Sequence, residues 1–451
     1  MSSTASQARP SRGDELELTI DSLAHGGNGV ARRDGYVVFV AGAVPGDRVR
    51  AVVGKAKRAY AEARAVEVLE PSPDRIEPAA HHPGAPWQVL PYERQLEIKA
   101  DQVREALERI GKLEGFELEP IIPAVEQWRY RNKLEFSFGT GAGGELVCGF
   151  HAPGRWDEIV PMEECLLGSE RADALRADVL AWARAQGLEP WDRRDGSGFL
   201  RNLVIREGRR TGEMQVRLIT SPGKLDTDSL IDAVRCDGLF WTQQDRLGES
   251  SAGGETMLLN GSPQLREQIG GLEFLISPEA FFQTNTEMAE QLYGVAAEMA
   301  QLRGHERVFD LYCGIGTIGL TLASRAREVV GVEIVEPAVA DAIENARRND
   351  VLNARFYAGD IRLAMRDLVE QAGRPDVAVV DPPRAGLSQK VVRRILEAQP
   401  KRIVYVSCNP TTLAPNAAQM VEAGYRLVRV RPVDMFPQTP HIESVALLER
   451  D

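Results

Sequence analysis

Cysteine is scarce: there are five in 451 residues, Cys148, Cys165, Cys236, Cys313 and Cys408, and none forms a C-x-x-C pair. That scatter argues against a disulfide framework and against a zinc ribbon, and no metal-ligating set is expected. No apolar run approaches the roughly 18 residues of a membrane span, and Met1–Arg12 holds no apolar signal segment. The chain is therefore expected to stay in the cytoplasm with no membrane partner. Basic residues are not in excess either. A formal net charge of −12 argues against nucleic acid as a partner of the whole surface, though not against local basic faces. With 43% hydrophobic and 27% charged residues, the composition is that of a globular protein, and its length exceeds one typical core.

Residues 1–13 are small, polar and basic and read as a disordered lead-in. Residues 14–70 change to short strands broken by His25-Gly26-Gly27-Asn28-Gly29 and Pro45-Gly46-Asp47, which suggests a small β-barrel. Arg48, Arg50, Lys55, Lys57, Arg58 and Arg64, with Tyr60 among them, face one acid, Glu62, within that window. A basic strand pair carrying an aromatic suits an RNA backbone. Pro71, Pro73 and Pro78 mark a linker, and Tyr92–Leu113 has helical spacing. The stretch 71–280 is expected to be a mixed α+β central region. Its most basic window, Arg193 to Arg217, holds seven arginines against three acids and suggests a second RNA-facing surface.

The segment 281–451 is the most legible. Apolar strands end at Asp310, Glu333, Asp360 and Asp381 with helical stretches between them, the pattern of an α/β, doubly wound parallel sheet. Gly314 and Gly316 let a ligand approach the backbone ahead of a helix N-terminus, which favours a carboxylate. Glu333, 17 residues beyond Gly316, stands where an acid accepts from ribose hydroxyls, and Asp360 suits an exocyclic amine on adenine. Ribose, adenine and a carboxylate-bearing tail together describe S-adenosylmethionine better than a dinucleotide.

Val404-Tyr405-Val406-Ser407-Cys408-Asn409-Pro410 reads as a buried strand that Asn-Pro terminates, so Cys408 lies at the ligand-binding edge. Asp381-Pro382-Pro383 is followed by Arg384, where enzymes that methylate exocyclic amines place an aromatic. A thiol and a carboxylate at one edge instead suit methylation of a pyrimidine C5. That carbon is a poor nucleophile until a thiolate adds to C6. Its hydrogen must then leave, which requires a base: Glu443, with His441 as the alternative.

The Asp21 to Val30 glycine turn and Val44-Pro45-Gly46-Asp47 resemble a TRAM domain, a small OB-like RNA-binding barrel. Phe281-Phe282-Gln283-Thr284-Asn285, Asp310 to Gly316, Asp381-Pro382-Pro383-Arg384, Ser407-Cys408-Asn409-Pro410 and His441-Ile442-Glu443 resemble the uracil-5-methyltransferases that act on transfer and ribosomal RNA. The resemblance covers nearly the whole chain. It implies a Rossmann-like methyltransferase domain in which Gln283, Tyr312, Glu333, Asp360 and Asp381 contact S-adenosylmethionine or orient the uracil. It also implies Cys408 as nucleophile, Glu443 as base and RNA as partner; a monomer is expected. Thr317 stands where some relatives carry Asn. Cluster-binding relatives hold iron and sulfur through C-x5-C-x2-C, positions that fall here near Ile76, His82 and Ala85, leaving only Cys165, so no iron–sulfur cluster is expected. The other functions weighed are an RNA-binding or RNA-folding protein on a methyltransferase-like scaffold, and an exocyclic-amine methyltransferase.

Overall fold

A computed structural model describes residues 9–246, 248, 251 and 253–450; residues 1–8 of the lead-in lie outside the described residues. The chain forms two compact units. One holds the described residues through His81 with Ala85–Glu105 and Phe436–His441; the other holds His82–Gly84, Ala106–Met435 and the chain from Ile442.

In the first unit six strands pair in the order Glu15–Thr19, Arg48–Ala56, Tyr60–Glu70, Tyr36–Ala41, Gly29–Arg33, Ser22–Leu23. The two edge strands are consecutive in the chain and only two residues apart, so the sheet curls back on itself as a barrel. Alternate residues fill it, among them Leu16, Leu18, Val38, Val40, Val49, Ala51 and Val53. The basic strands expected from the local sequence are largely neutralised. Arg48 pairs with Glu17 and Glu70, Arg50 with Glu67, and Lys55 lies 3.8 Å from Glu62. Lys57 instead packs over the Tyr60 ring at 5.5 Å, at the hairpin tip.

The helix begins at Tyr92 as expected, but it is α-helical only to Glu105 and ends in a π turn over Ala106–Ile110. Gln95 and Lys99 on its buried face bind the segment Phe436–His441. Gln95 Nε2 donates to Gln438 Oε1 at 2.8 Å and Lys99 Nζ donates to the Phe436 carbonyl at 3.0 Å.

In the second unit a seven-stranded sheet runs from Arg155–Pro161 at one edge to Glu255–Gly261 at the other, with the helix Glu170–Ala185 packed on it. The eight-stranded sheet orders Ala354–Ala358, Glu328–Glu333, Arg307–Leu311, Val377–Val380, Arg402–Ser407, Glu443–Glu449, Arg426–Val433 and Glu117–Leu118. The first five are parallel, each reached through a crossover helix, and Glu443–Glu449 enters antiparallel to Arg402–Ser407. This is the doubly wound methyltransferase architecture expected of the C-terminal segment.

Asp47, in the barrel's Pro-Gly-Asp turn, carries the clearest stability consequence. It has no exposed surface, and its two oxygens accept from Val44 N (2.8 Å), Ser72 N (2.9 Å) and, in a bidentate pair, Arg75 Nε and Nη2 (both 2.8 Å). Burial alone would raise its pKa, but these donors outweigh burial and hold the carboxylate below its ordinary range. Asp47→Ala leaves Arg75 without its partner and is expected to cost about 3–5 kcal/mol in denaturant unfolding of the barrel. The stability this depressed pKa supplies is complete above the unfolded value of about 3.9 and is lost as pH falls from there through the folded value. The variant should therefore show a shallower acid transition than the wild type.

Candidate active site

Strand register builds the site. Leu311 pairs with both Val332 and Val380, so the next residues, Tyr312, Glu333 and Asp381, stand at one level, at the carboxyl ends of adjacent strands. Tyr312, Gly314 and Gly316 then take positive φ values of 67°, 53° and 85°. At Gly316 a Cβ would meet the Phe356 ring at 2.9 Å, so only glycine makes this turn without displacing its neighbour. The loop is held by Glu333, whose carboxylate accepts from Gly314 N (3.2 Å), Ile334 N (2.7 Å) and Val335 N (2.9 Å). Beneath it, buried Asp310 accepts from Gly319 N at 2.8 Å, while its second oxygen has no hydrogen-bond partner among the described residues. Burial, then the Glu333 charge, pushes its pKa up to about 7.

A cleft of about 240 Å³ opens beside this loop, lined by Tyr312, Ile334, Asp360, Ile361, Ser388 and Val391. Asp360 is not idle there. Its oxygens accept from Arg362 Nε at 2.9 and 2.8 Å, and hydrogen bonding to Arg362 lowers its pKa. The carboxylate is thus fixed, charged, at the cleft. Neither Arg362 nor the unpartnered oxygen of Asp310 is signalled by the strand pattern.

The second half of the site comes from the antiparallel strand. Ser407 pairs with Ser444, so one step further Cys408 stands opposite Glu443. Glu443 is 3% exposed. Burial and then Asp381 raise its carboxyl pKa well above the usual range, with Arg384 opposing. Cys408 is half-buried; burial, then Glu443 and Asp381, push its thiol up to about 11, again against Arg384. Asp381 rises to about 7 through burial and the neighbouring Asp310. The chemistry of the site is thus a thiol and mutually repelling acids with one nearby guanidinium. Asn409 ties two loops together, because its Nδ2 donates to the Arg384 carbonyl at 3.1 Å while its Oδ1 caps the following helix at Thr411 N, 3.0 Å.

Gln283, 5% exposed, sits on a braced loop. Asn132 Nδ2 donates to its carbonyl at 2.9 Å, and Asn132 N donates to the Thr284 carbonyl at 2.8 Å. Asn285 caps the helix Thr286–Ala300, from which Tyr293 accepts a hydrogen bond from Thr317 at 3.2 Å. Burial raises the Tyr293 pKa, and Asp381, Asp310 and Glu443 add to it, so this tyrosine also borders the acids. Sequence reasoning missed Tyr293, since a helical Tyr among Leu and Met carries no signal of chemistry. His441 belongs to the other compact unit, where its ring packs edge-on against Phe436 at 6.0 Å.

Among the described residues no group of three or more His, Cys, Asp or Glu side chains could hold a metal. Cys165 is buried with His82 Nε2 3.4 Å from its sulfur.

Residues 268–451 match a family model described as tRNA (uracil-5-)-methyltransferase, and residues 10–66 match the TRAM domain. An uncharacterized RNA methyltransferase of Halalkalibacterium halodurans is 41% identical, with 98% of each chain covered. One from Porphyromonas gingivalis is 39% identical, covering 96% of this chain and all of its own. Among solved structures, the tRNA (uracil-54, C5)-methyltransferase of Pyrococcus abyssi, in complex with S-adenosyl-L-homocysteine, superposes with a TM-score of 0.79. It is 30% identical over 96% of this chain and 99% of its own.

The raised thiol pKa can be measured directly. In the ligand-free protein at pH 8, Cys408 should hold on the order of a hundredfold less thiolate than an ordinary cysteine and react correspondingly slowly with iodoacetamide. Glu443→Gln removes the carboxyl whose charge, once Glu443 is ionised, does most after burial to raise that pKa. At alkaline pH, above the raised Glu443 pKa, the substitution should speed alkylation severalfold, read by mass spectrometry of the Cys408 peptide. An unchanged or slower rate would show that Glu443 does not act on this thiol.

Proposed function

This chain belongs to the S-adenosylmethionine-dependent RNA (uracil-5-)-methyltransferase family, and we propose that it methylates C5 of a specific uridine in transfer or ribosomal RNA through a covalent adduct on Cys408. The observation that carries the reading is the pairing of Arg402–Ser407 with Glu443–Glu449, which sets a thiol and a buried carboxyl opposite each other at the sheet's ligand edge.

The residues present suit S-adenosylmethionine. Glu333, held by three backbone N–H groups, keeps lone pairs for ribose hydroxyls; Tyr312 and Asp360 border a cleft suited to adenine; Gly314, where an added Cβ would meet nothing within 4 Å, leaves the backbone open to the amino-acid tail, while Gly316 packs against Phe356 and sets the turn. Gln283 and Asp381 complete the set by positioning cofactor and uracil. The acids Asp310, Asp381 and Glu443 ionise more readily once a cationic ligand shares their site, because it offsets the repulsion and burial that raise their pKa values.

Cys408 releases its proton to solvent and its sulfur bonds to C6 of the uracil, while the C5–C6 π pair moves toward the C4 oxygen as an enolate. When bound, S-adenosylmethionine would supply an electrophilic methyl group to C5, the electron pair of the broken C–S bond leaving with S-adenosylhomocysteine. Glu443, as carboxylate, then takes the C5 hydrogen; the C5–C6 double bond re-forms and Cys408 departs as thiolate. The target uracil must leave its stack to reach a site at this depth.

Glu443→Gln is expected to permit addition and methylation but slow proton removal by about 10²–10⁴. The variant should then accumulate attached to methylated RNA, seen as a shifted band in a denaturing gel. Cys408→Ala and the double variant should give no band and no methylation. Wild-type turnover by Glu443→Gln would move the base elsewhere, with His441 the next candidate.

A further inference from the structure

A second cleft, of about 330 Å³, lies in the unit that carries the active site and is lined by Trp128, Arg129, Ser169, Arg171 and Arg209. Glu126 and Glu170 also border it. The lining combines one large aromatic ring with three guanidiniums, the combination that binds unpaired nucleotides: the base stacks on the ring and the phosphates meet the cations.

The backbone holds this surface in place. Arg129 is left-handed at φ 53°, and its N–H donates to the Leu166 carbonyl at 2.7 Å, while Arg131 N donates to the Leu167 carbonyl at 2.9 Å. Tyr130, between them, is fully buried, and Trp128 remains half-buried at the cleft. Arg129 is engaged by Glu164 and by the Gly168 carbonyl, at 3.2 Å. Arg171 spends one nitrogen on the Gly212 carbonyl, at 2.6 Å, and is otherwise exposed. Arg209 is ion-paired with Glu287, 3.5 Å from its Nε, and with Glu207 at 3.9 Å, and its buried Nε makes no hydrogen bond among the described residues.

The cleft and the active site share their supports. Asn132, three residues beyond Arg129, bonds the Gln283 carbonyl and Thr286 Oγ1, both at 2.9 Å. Glu287, beside Arg209, is in the first turn of the same helix that begins after Asn285. A chain entering the cleft is therefore anchored on the segments that hold the Gln283 loop.

We propose that this cleft binds one unpaired nucleotide of the substrate RNA other than the methylated uridine, its base stacked on Trp128 and its phosphates against Arg171 and Arg209. The inference rests on the reading of the chain as an RNA methyltransferase and adds a site that selects RNA with a second exposed base.

The test uses the full-length protein and total RNA from cells lacking this methyltransferase. Trp128→Ala should raise KM for RNA by about five- to a hundredfold, as loss of one base–aromatic stack does, with kcat and S-adenosylmethionine affinity within about threefold of wild type. Trp128→Phe, which keeps a ring to stack on, should restore KM to within about threefold. Arg171→Gln should lower the slope of log affinity against log salt by about one. An unchanged KM in Trp128→Ala, in an enzyme that does methylate RNA, overturns the cleft alone. So does a Trp128→Phe variant as impaired as Trp128→Ala, since that marks a packing role, or an unaltered salt slope in Arg171→Gln should Trp128→Ala fail to fold. A wild-type protein that methylates no RNA overturns the underlying reading and the cleft with it.

Discussion

The antiparallel insertion of Glu443–Glu449 beside Arg402–Ser407 is the constraint on which the site depends. A purely parallel sheet sends every carboxyl end to one edge. Here a strand's first residue is delivered to that edge as well, so Glu443 faces Cys408 one step beyond the paired Ser407 and Ser444. Such a pair is fixed by backbone hydrogen bonds, and a slip of one residue would turn Glu443 to the other face. The placement of Cys408 and Glu443 therefore comes from sheet register, and Asn409 extends it to the Asp381–Arg384 loop.

Burial sets the electrostatics of this edge. Asp310, Asp381 and Glu443 all have raised pKa values, burial being the first cause in each, and Cys408 is raised with them. Like charges in a desolvated site favour uptake of a cation, which suits a sulfonium-bearing methyl donor. On this account the free protein keeps its thiol unreactive, and the nucleophile becomes competent only in the loaded site.

Much of this was legible in the sequence because the catalytic sheet is written locally. Val377–Val380 and Arg402–Ser407 are continuous apolar runs ended by Asp381 and by Asn-Pro, and such runs need no distant partner to be recognised. Cys408 and Glu443 are singled out in the sequence by chemical need, and the strand register brings them together at one edge. What was hidden depends on residues far apart in the chain. Arg48 to Arg64 reads as basic because the acids that neutralise Arg48 and Arg50, namely Glu17, Glu67 and Glu70, lie outside that window. The two-residue strand Glu117–Leu118 exists only by pairing with Arg429 and Val430. The Arg362 clamp on Asp360 is local, yet an Arg two residues after an acid is too common to be a signal.

The central claim is that Cys408 bonds to the uracil and that a C5 proton must later be removed. RNA in which uridine is replaced by 5-fluorouridine isolates that claim, because fluorine at C5 cannot leave as a proton does. Incubation with S-adenosylmethionine should halt the wild-type enzyme as a stable protein–RNA species that survives denaturant. After digestion, mass spectrometry should find a methylated fluorouridine nucleotide on the peptide containing Cys408. Attachment at another residue, or release of methylated RNA with no attached protein, would contradict the account.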